Sequence, residues 1–278
     1  MAEQNDKIAF IRRGNTHEEA PAAETARPFV EYAILCAIVY DDPSAPGRRQ
    51  DTAFLSERGW RRWEDIPAIS QPKDWRYEIA GLSYEIWEKD DADQIVVALV
   101  FRGTDDAADW WTNLRWVTRY TPFVRDQYMQ VQSLTRPLVK AIQDRHSGKN
   151  IRIVTTGHSL GGGLAHQAAY ISAHIKEVFA FDPSPVTGFY SVPNSERSEN
   201  ARGIVVQRIY ERGEILASFR RVVRWFNPLS TKDPEIIEIR FNLSQGDAIT
   251  EHNMRTLAYK LKEKADELNA ARVAGSIA

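Results

Sequence analysis

The stretch that decides the fold is Ile151-Arg-Ile-Val-Thr-Thr156, which runs without a gap into Gly157-His-Ser-Leu-Gly161. The first part is apolar and rich in β-branched residues, as in a buried strand, and the residues after Gly161 continue as a helix. A glycine-x-serine-x-glycine pattern between a strand and a helix is typical of a tight turn that lifts a serine hydroxyl clear of a sheet. We therefore predict that Ser159 is a nucleophile, rather than an ordinary serine in a glycine-rich turn.

Strands and helices alternate on both sides of this turn. The apolar and alternating patterns predict strands over residues 81–88, 94–101, 151–156, 177–181, 204–210 and 236–241, the first two joined as a hairpin. Helices are predicted over residues 28–40, 126–143, 160–174 and 250–268, with Pro137 starting the second half of its helix. Apolar strands that alternate with helices indicate an α/β fold, with a mostly parallel sheet covered by helices on both faces.

Length and composition favour one large domain. The chain has 278 residues, of which 43% are hydrophobic, and this is ample for one core. Residues 1–27 are polar and without sustained periodicity, so we expect a flexible or loosely docked arm followed by a single domain over residues 28–278. The one cysteine, Cys36, lies in an apolar run and is expected to be a buried, unreactive side chain.

Charge and motif content argue against several classes of partner. The formal net charge is −2 and no basic stripe occurs, so nucleic-acid binding has no support. The histidines and cysteine do not follow metal-site spacings, and we expect no metal and no cofactor. No apolar run reaches the length of a membrane span, and the first residues do not resemble a signal peptide. The protein is expected to be cytoplasmic as synthesised, with export by a signal-independent route left open.

A second strand that ends at a glycine turn precedes the serine turn. Residues 95–101 are apolar and lead directly into Arg102-Gly-Thr104. Where a serine occupies such a strand-to-helix turn, the loop after an earlier strand supplies one amide of the oxyanion hole, and the residue after the serine supplies the other. We therefore predict the backbone amides of Thr104 and Leu160 as oxyanion donors, with the Thr104 hydroxyl as a further donor.

These segments resemble the class 3 (fungal-type) lipases of the α/β-hydrolase superfamily. The resemblance rests on the segments Val100-Phe-Arg-Gly-Thr104, Asp109-Trp-Trp-Thr-Asn-Leu114 and Gly157-His-Ser-Leu-Gly-Gly162, and on residues 181–188 and 209–216. It covers roughly residues 30–265. It implies an α/β-hydrolase fold and the hydrolysis of lipid esters.

A serine nucleophile needs an imidazole to take its proton. Five of the six histidines lie in the N-terminal arm, before or inside the serine turn, or along the helix after it: His17, His146, His158, His166 and His174. His252 follows the serine and the acid in the chain order of this superfamily and falls where the family carries its catalytic histidine. We predict His252 as the base; the alternative is a solvated histidine beside an N-cap at Thr250.

Two carboxylates compete to orient that histidine. Glu214 stands where the family usually has Asp, and Asp182 stands where the family usually has Gly. Asp182 directly follows the strand at 177–181, but it also precedes Pro183, where a short acceptor often ties a loop. The prediction is Glu214, with Asp182 as the alternative acid.

Two further segments suggest contact with lipid. Trp110 and Trp111 follow a run of acidic residues, and the resemblance implies a lid helix there, although packing in the core is an equal alternative. Arg220, Arg221 and Arg224 alternate with aromatic and apolar residues. Such a segment can rest on anionic lipid, but a solvated surface helix explains it as well.

The set Thr104, Ser159 and His252 predicts an ester hydrolase that acts on lipids through an acyl-enzyme on Ser159, as a lipase or phospholipase-like enzyme. A small-molecule esterase, a thioesterase or an acyltransferase would use the same residues. The alternative from another class is a catalytically silent binding protein of this fold. Such a protein would have no reason to keep the strained serine turn.

Overall fold

A twisted mixed sheet forms the centre of the molecule. The computed structural model describes residues 6–41, 44–65, 82–103, 122–211, 221, 224–225, 228–243 and 253–275. These residues form a nine-stranded sheet in the order β2-β1-β9-β8-β7-β6-β5-β4-β3. The strands are β1 (Ile8–Arg13), β2 (Thr16–Pro21), β3 (Arg61–Arg62), β4 (Tyr84–Asp91), β5 (Gln94–Phe101), β6 (Ile151–His158), β7 (Ile175–Phe181), β8 (Val205–Glu211) and β9 (Glu235–Phe241).

The strands that carry the serine turn and its neighbours are parallel. From β5 to β9 each strand pairs in parallel with the next. β4 joins β5 as an antiparallel hairpin whose register runs from Tyr84 opposite Phe101 to Asp91 opposite Gln94, which confirms the predicted hairpin. Because the carboxyl ends of parallel strands meet at one edge of a sheet, the last residues of β5, β6, β7 and β8 are brought together.

Helices cover both faces of the sheet, which confirms the predicted α/β class. They are α1 (Ala22–Ala26), α2 (Val30–Ile38), α3 (Pro46–Ser56), α4 (Pro122–Arg145), α5 (Leu160–Ile171), α6 (Asn194–Asn200) and α7 (Met254–Gly275), with short 3₁₀ turns at Arg27–Phe29 and Phe189–Ser191. One core lies between the sheet and α2 and α7, and a second lies between the sheet and α4 and α5.

The strand β6 contacts both helical layers because its side chains alternate between the two faces. The sulfur of Cys36 in α2 lies 3.0 Å from the hydroxyl of Thr156 on one face. On the other face, the Thr155 hydroxyl donates to the carbonyl of Ala165 in α5 at 3.0 Å. Burial raises the pKa of the Cys36 thiol to about 12, in agreement with the expectation of an unreactive side chain.

The prediction of a flexible arm over residues 1–27 is wrong for the part that the structure describes. β1 pairs antiparallel with β9, and β2 pairs antiparallel with β1, so this segment extends the sheet. β2 reads Thr-His-Glu-Glu-Ala-Pro and is mostly exposed, as befits an edge strand that avoids further pairing. Because β2 is polar and lacks an apolar alternation, its sequence does not predict a strand. Gly14-Asn15 between β1 and β2 is nevertheless a hairpin signal.

Two helix predictions also need correction. α4 runs unbroken from Pro122 to Arg145 with Pro137 inside it, instead of restarting at that proline. α7 begins at Met254, not near residue 250. Its N-cap is Asn253, whose side-chain oxygen accepts from the amides of Arg255 at 2.9 Å and Thr256 at 3.2 Å.

Candidate active site

Ser159 sits in the strained backbone conformation of a nucleophile elbow. Its φ is 56° and its ψ is −122°, values that L residues rarely adopt. The turn is compact enough that only glycine fits on either side of the serine. A Cβ added at Gly157 would strike the backbone of Gly161, and one added at Gly161 would strike the carbonyl of Phe101. The flanking glycines are therefore required by packing, as the sequence pattern predicts.

Backbone hydrogen bonds fix this elbow against the next strand and its loop. The Ser159 amide donates to the carbonyl of Phe181 at 3.0 Å. The Ser159 carbonyl accepts from the amides of Gly162 at 3.1 Å and Ser184 at 2.9 Å. Several backbone hydrogen bonds thus hold the main chain at Ser159 in place. A strained conformation persists only where the surrounding structure fixes it in this way.

The Ser159 hydroxyl is not held by a hydrogen bond to any described neighbour. The residue is only 1% exposed, and its hydroxyl has no hydrogen-bond partner among the described residues. Leu160 is the first residue of α5, where the helix offers its amide no acceptor. An amide of this kind at the positive end of a helix is suited to bind a developing oxyanion.

The turn after β5 lies against the elbow. The Arg102 amide donates to the carbonyl of Ser83 at 2.9 Å, and the Gly103 amide donates to the hydroxyl of Tyr40 at 3.0 Å. A Cβ added at Gly103 would lie 2.7 Å from the His158 carbonyl and 3.4 Å from the Gly161 amide nitrogen. The two predicted halves of the oxyanion hole are therefore in contact, although Thr104 itself lies outside the described residues.

Asp182 lies beside the elbow at the carboxyl end of β7. It is 1% exposed, and its amide donates to the carbonyl of Ile209 in β8 at 2.9 Å. Its φ is 41°, in the left-handed region that favours glycine. This conformation gives a physical reason for the glycine that the fungal-type lipases usually carry here. Asp182 adopts this conformation at the cost of backbone strain. Strained residues of this kind cluster at functional sites, so the carboxylate of Asp182 is a candidate for a functional role.

A third carboxylate at this edge was missed by the sequence reasoning. Glu211 ends β8 and is 2% exposed, and its Oε1 accepts from the amide of Leu243, after β9, at 2.8 Å. That contact assigns Glu211 a role in holding the loop after β9. The preferred acid Glu214 lies outside the described residues, so the choice between Glu214 and Asp182 stays open.

The described histidines occupy places that suit structural roles. His17 is exposed on the edge strand, and His174 is exposed beside Gln143.

The other described histidines are buried. The Nε2 of His146 lies 2.9 Å from Glu88, and His158 lies against Tyr40. His166 is fully buried in α5. His252 falls outside the described residues, but it directly precedes Asn253, the N-cap of α7.

Burial makes His166 a source of acid sensitivity. Both ring nitrogens lack a hydrogen-bond partner among the described residues. Burial, and secondly the charge of Arg208, hold the pKa of His166 well below its ordinary value. Because the unfolded chain takes up this proton more readily, the free energy of unfolding should fall as pH drops below about 6.5. The loss should approach roughly 1.4 kcal/mol per pH unit from this residue. Denaturant unfolding between neutral and mildly acidic pH measures it.

Replacing His166 by Leu should flatten that pH dependence, since a side chain that cannot ionise takes its place. His17→Gln, on the exposed edge strand, is the matched control and should keep the wild-type slope. An unchanged slope in His166→Leu would assign the acid sensitivity to other groups.

The start of α7 is held by a partly buried ion-pair network around the buried Asp51. The Arg255 guanidinium pairs with Asp41 and, at 2.9 Å, with Asp51. The Tyr259 hydroxyl donates to the other Asp51 oxygen at 2.9 Å. An arginine in the first turn opposes the helix dipole, and these two carboxylates offset that cost. The network fixes the backbone three residues after His252.

The surface segments gave mixed outcomes. Trp110 and Trp111 lie outside the described residues, and the lid stays a prediction. Of the predicted arginine group, Arg224 is partly buried, and its Nε lies 3.2 Å from Oε2 of Glu238, which is buried in β9. Arg221 is exposed, and Trp225 is 81% exposed. Arg220 lies outside the described residues.

The described ranges contain no candidate for two other kinds of site. Within them, the His, Cys, Asp and Glu side chains form no group that could hold a metal ion. In the same ranges, no helix is both long and apolar enough to cross a membrane.

The chain has the fold of the α/β hydrolases. The features that define this class are the parallel sheet, the strained serine between β6 and α5 and the adjoining glycine turn. The structure is similar to that of lipase II from Rhizopus niveus, with a TM-score of 0.50 and 18% identity over 79% of this chain and 80% of that one. This likeness confirms, at the level of the fold, the resemblance to fungal-type lipases.

Residues 31–187 match the model of the Tle-like phospholipase domain, described as phospholipase-like. The chain belongs to this family. It is also 36% identical over 81 residues to an extracellular phospholipase A1 of Serratia liquefaciens. That match spans 29% of this chain and 22% of the Serratia protein.

Proposed function

We propose that the protein hydrolyses carboxylic esters of phospholipids through an acyl-enzyme on Ser159. The observation that carries the proposal is the strained Ser159, at φ 56°, in an elbow whose glycines admit no side chain. A non-glycine residue in such a conformation costs on the order of 1–3 kcal/mol. A silent binding protein gains nothing from keeping that strain. The phospholipid substrate class is supported by the family to which the chain belongs.

The reaction proceeds in two acyl-transfer steps. The Ser159 oxygen attacks the ester carbonyl while His252 takes the hydroxyl proton, and the carbonyl oxygen becomes an oxyanion held by the amides of Thr104 and Leu160. Collapse expels the alcohol of the lipid, which receives the proton from His252, and leaves the acyl group on Ser159. Water then attacks the acyl-enzyme with His252 as base again, and the fatty acid is released. Glu214 holds His252 in the correct tautomer, with Asp182 as the alternative.

Contact with a lipid surface forms part of the proposal. Trp110 and Trp111 are the candidates for a lid, and the exposed side chains of Trp225 and Arg221 support a site of contact with headgroups. Arg224 is a weaker candidate for this role because its guanidinium pairs with Glu238. A small-molecule esterase, a thioesterase or an acyltransferase would share the chemistry but would need no lipid surface.

A comparison of substrates tests the proposal. The purified protein should label with a fluorophosphonate probe at Ser159, and it should release fatty acid from phosphatidylglycerol vesicles. Its rate on a short-chain nitrophenyl ester should rise when that ester passes from monomers to micelles, since the reaction is placed at an interface. Esterase activity that ignores micelles and vesicles would favour the small-molecule alternative. Absence of both labelling and hydrolysis would favour a silent binding protein.

A further inference from the structure

Tyr40, at the corner between α2 and α3, touches both halves of the predicted oxyanion hole. Its hydroxyl accepts the Gly103 amide at 3.0 Å, on the turn after β5. The same hydroxyl lies 3.3 Å from Nδ1 of His158 and 3.4 Å from the His158 carbonyl, on the elbow. The Arg102 guanidinium lies over the Tyr40 ring, 5.7 Å from its centre. One half-buried side chain thus bridges two turns that are remote in sequence.

The space between these turns is closed. A Cβ at Gly103 would lie 2.5 Å from the Tyr40 hydroxyl and 2.7 Å from the His158 carbonyl, so neither side can approach further. The Tyr40 hydroxyl also commits the Gly103 amide, which is then unavailable to a substrate. The next amide along the turn belongs to Thr104. The hydrogen bond to Tyr40 therefore argues against Gly103 as the donor, and Thr104 stays the predicted one.

We propose that Tyr40 is a positioning residue that sets the spacing of the oxyanion hole. By accepting the Gly103 amide and donating its own proton to His158, the hydroxyl fixes the turn after β5 relative to the elbow. The Gly103 turn and the elbow that carries the Leu160 amide are then held at a fixed spacing before the substrate arrives, and Thr104, the predicted second donor, directly follows Gly103 in the sequence. Such donors stabilise the transition state only if their geometry is preorganised. The inference rests on the proposed function, because it assigns Tyr40 to the same reaction.

Replacing Tyr40 by Phe removes the hydroxyl and keeps the ring under Arg102. We expect kcat to fall about 10- to 100-fold, less than for loss of a whole donor but in the range of a misplaced one. KM should change by no more than about twofold, since the ground-state ester gains little from the oxyanion hole. The melting temperature should fall by no more than roughly 8 °C, the shift expected when the hydrogen bonds of this hydroxyl to Gly103 and His158 are both lost.

A trifluoromethyl ketone separates positioning from general packing. This probe forms a hemiketal oxyanion with the serine, so its inhibition constant should rise in Tyr40→Phe by the same factor by which kcat/KM falls. Tyr32→Phe is the matched control, because Tyr32 lies in α2, is buried and stacks on Phe179 at a centroid distance of 4.1 Å, away from the elbow. It should leave both kinetic quantities unchanged.

Wild-type kcat in Tyr40→Phe would overturn the inference, and so would a loss of kcat with unchanged affinity for the trifluoromethyl ketone. Both results leave the proposed function standing, since they require an active wild-type enzyme. A wild-type protein that neither hydrolyses esters nor labels at Ser159 would instead overturn the proposed function, and this inference would fall with it.

Discussion

Replacing Ser159 by Ala should lower kcat for ester hydrolysis by about 10⁴-fold or more while the protein stays folded. The expected loss is large because no acyl-enzyme can form without the Ser159 oxygen. Stability should change little, because the Ser159 hydroxyl makes no hydrogen bond within the described residues and Ala meets the same strain at φ 56°. Fatty-acid release from vesicles, measured on protein with a wild-type melting curve, checks the prediction.

The control for this variant lies on the same helix. Ser172 follows the last residue of α5, and its hydroxyl accepts the amide of His174 at 3.4 Å. Ser172→Ala should keep the wild-type rate because it removes a serine hydroxyl at the far end of the helix from the elbow. Near wild-type hydrolysis by Ser159→Ala would refute both the nucleophile and the acyl-enzyme.

The parts of the site that the sequence predicted are local ones. The backbone close to Ser159 requires the flanking glycines, so the glycine-serine-glycine pattern alone is enough to predict the elbow. The hairpin of β4 and β5 is likewise predicted by the alternating side chains of the first strand, the apolar run of the second and the polar link between them. Such features can be predicted because their cause and their signal lie in the same short stretch.

The parts that the sequence could not predict depend on distant contacts. Tyr40 ends an apolar run and carries no local sign that its hydroxyl meets Gly103, 63 residues away. The pairing of β1 with β9, which lies far away in the sequence, has no local signal. The positive φ of Asp182 follows from its place between the elbow and β8, and an aspartate in the sequence does not reveal it.

The acid can be identified by paired amide substitutions. Glu214→Gln should lower kcat by about 10³- to 10⁴-fold with little loss of stability, because the imidazole of His252 then loses the carboxylate that fixes its tautomer. Asp182→Asn should cost less activity. It should destabilise the fold by about 1–3 kcal/mol, the cost of disturbing a buried polar group. Initial rates show which variant loses more activity, and denaturant unfolding shows which variant loses more stability.

The structure makes this comparison sharper than the sequence does. Asp182 is 1% exposed and holds a φ of 41°, which Asn tolerates as well as Asp, so Asp182→Asn changes the charge without changing the backbone. Glu211→Gln is the control, because the glutamine oxygen can still accept the Leu243 amide, and its rate should stay near that of the wild type. If Asp182→Asn loses more activity than Glu214→Gln on folded protein, then the carboxylate beside the elbow orients His252. The strain at Asp182 would then have the same explanation as the strain at Ser159, a catalytic group held where the backbone does not favour it.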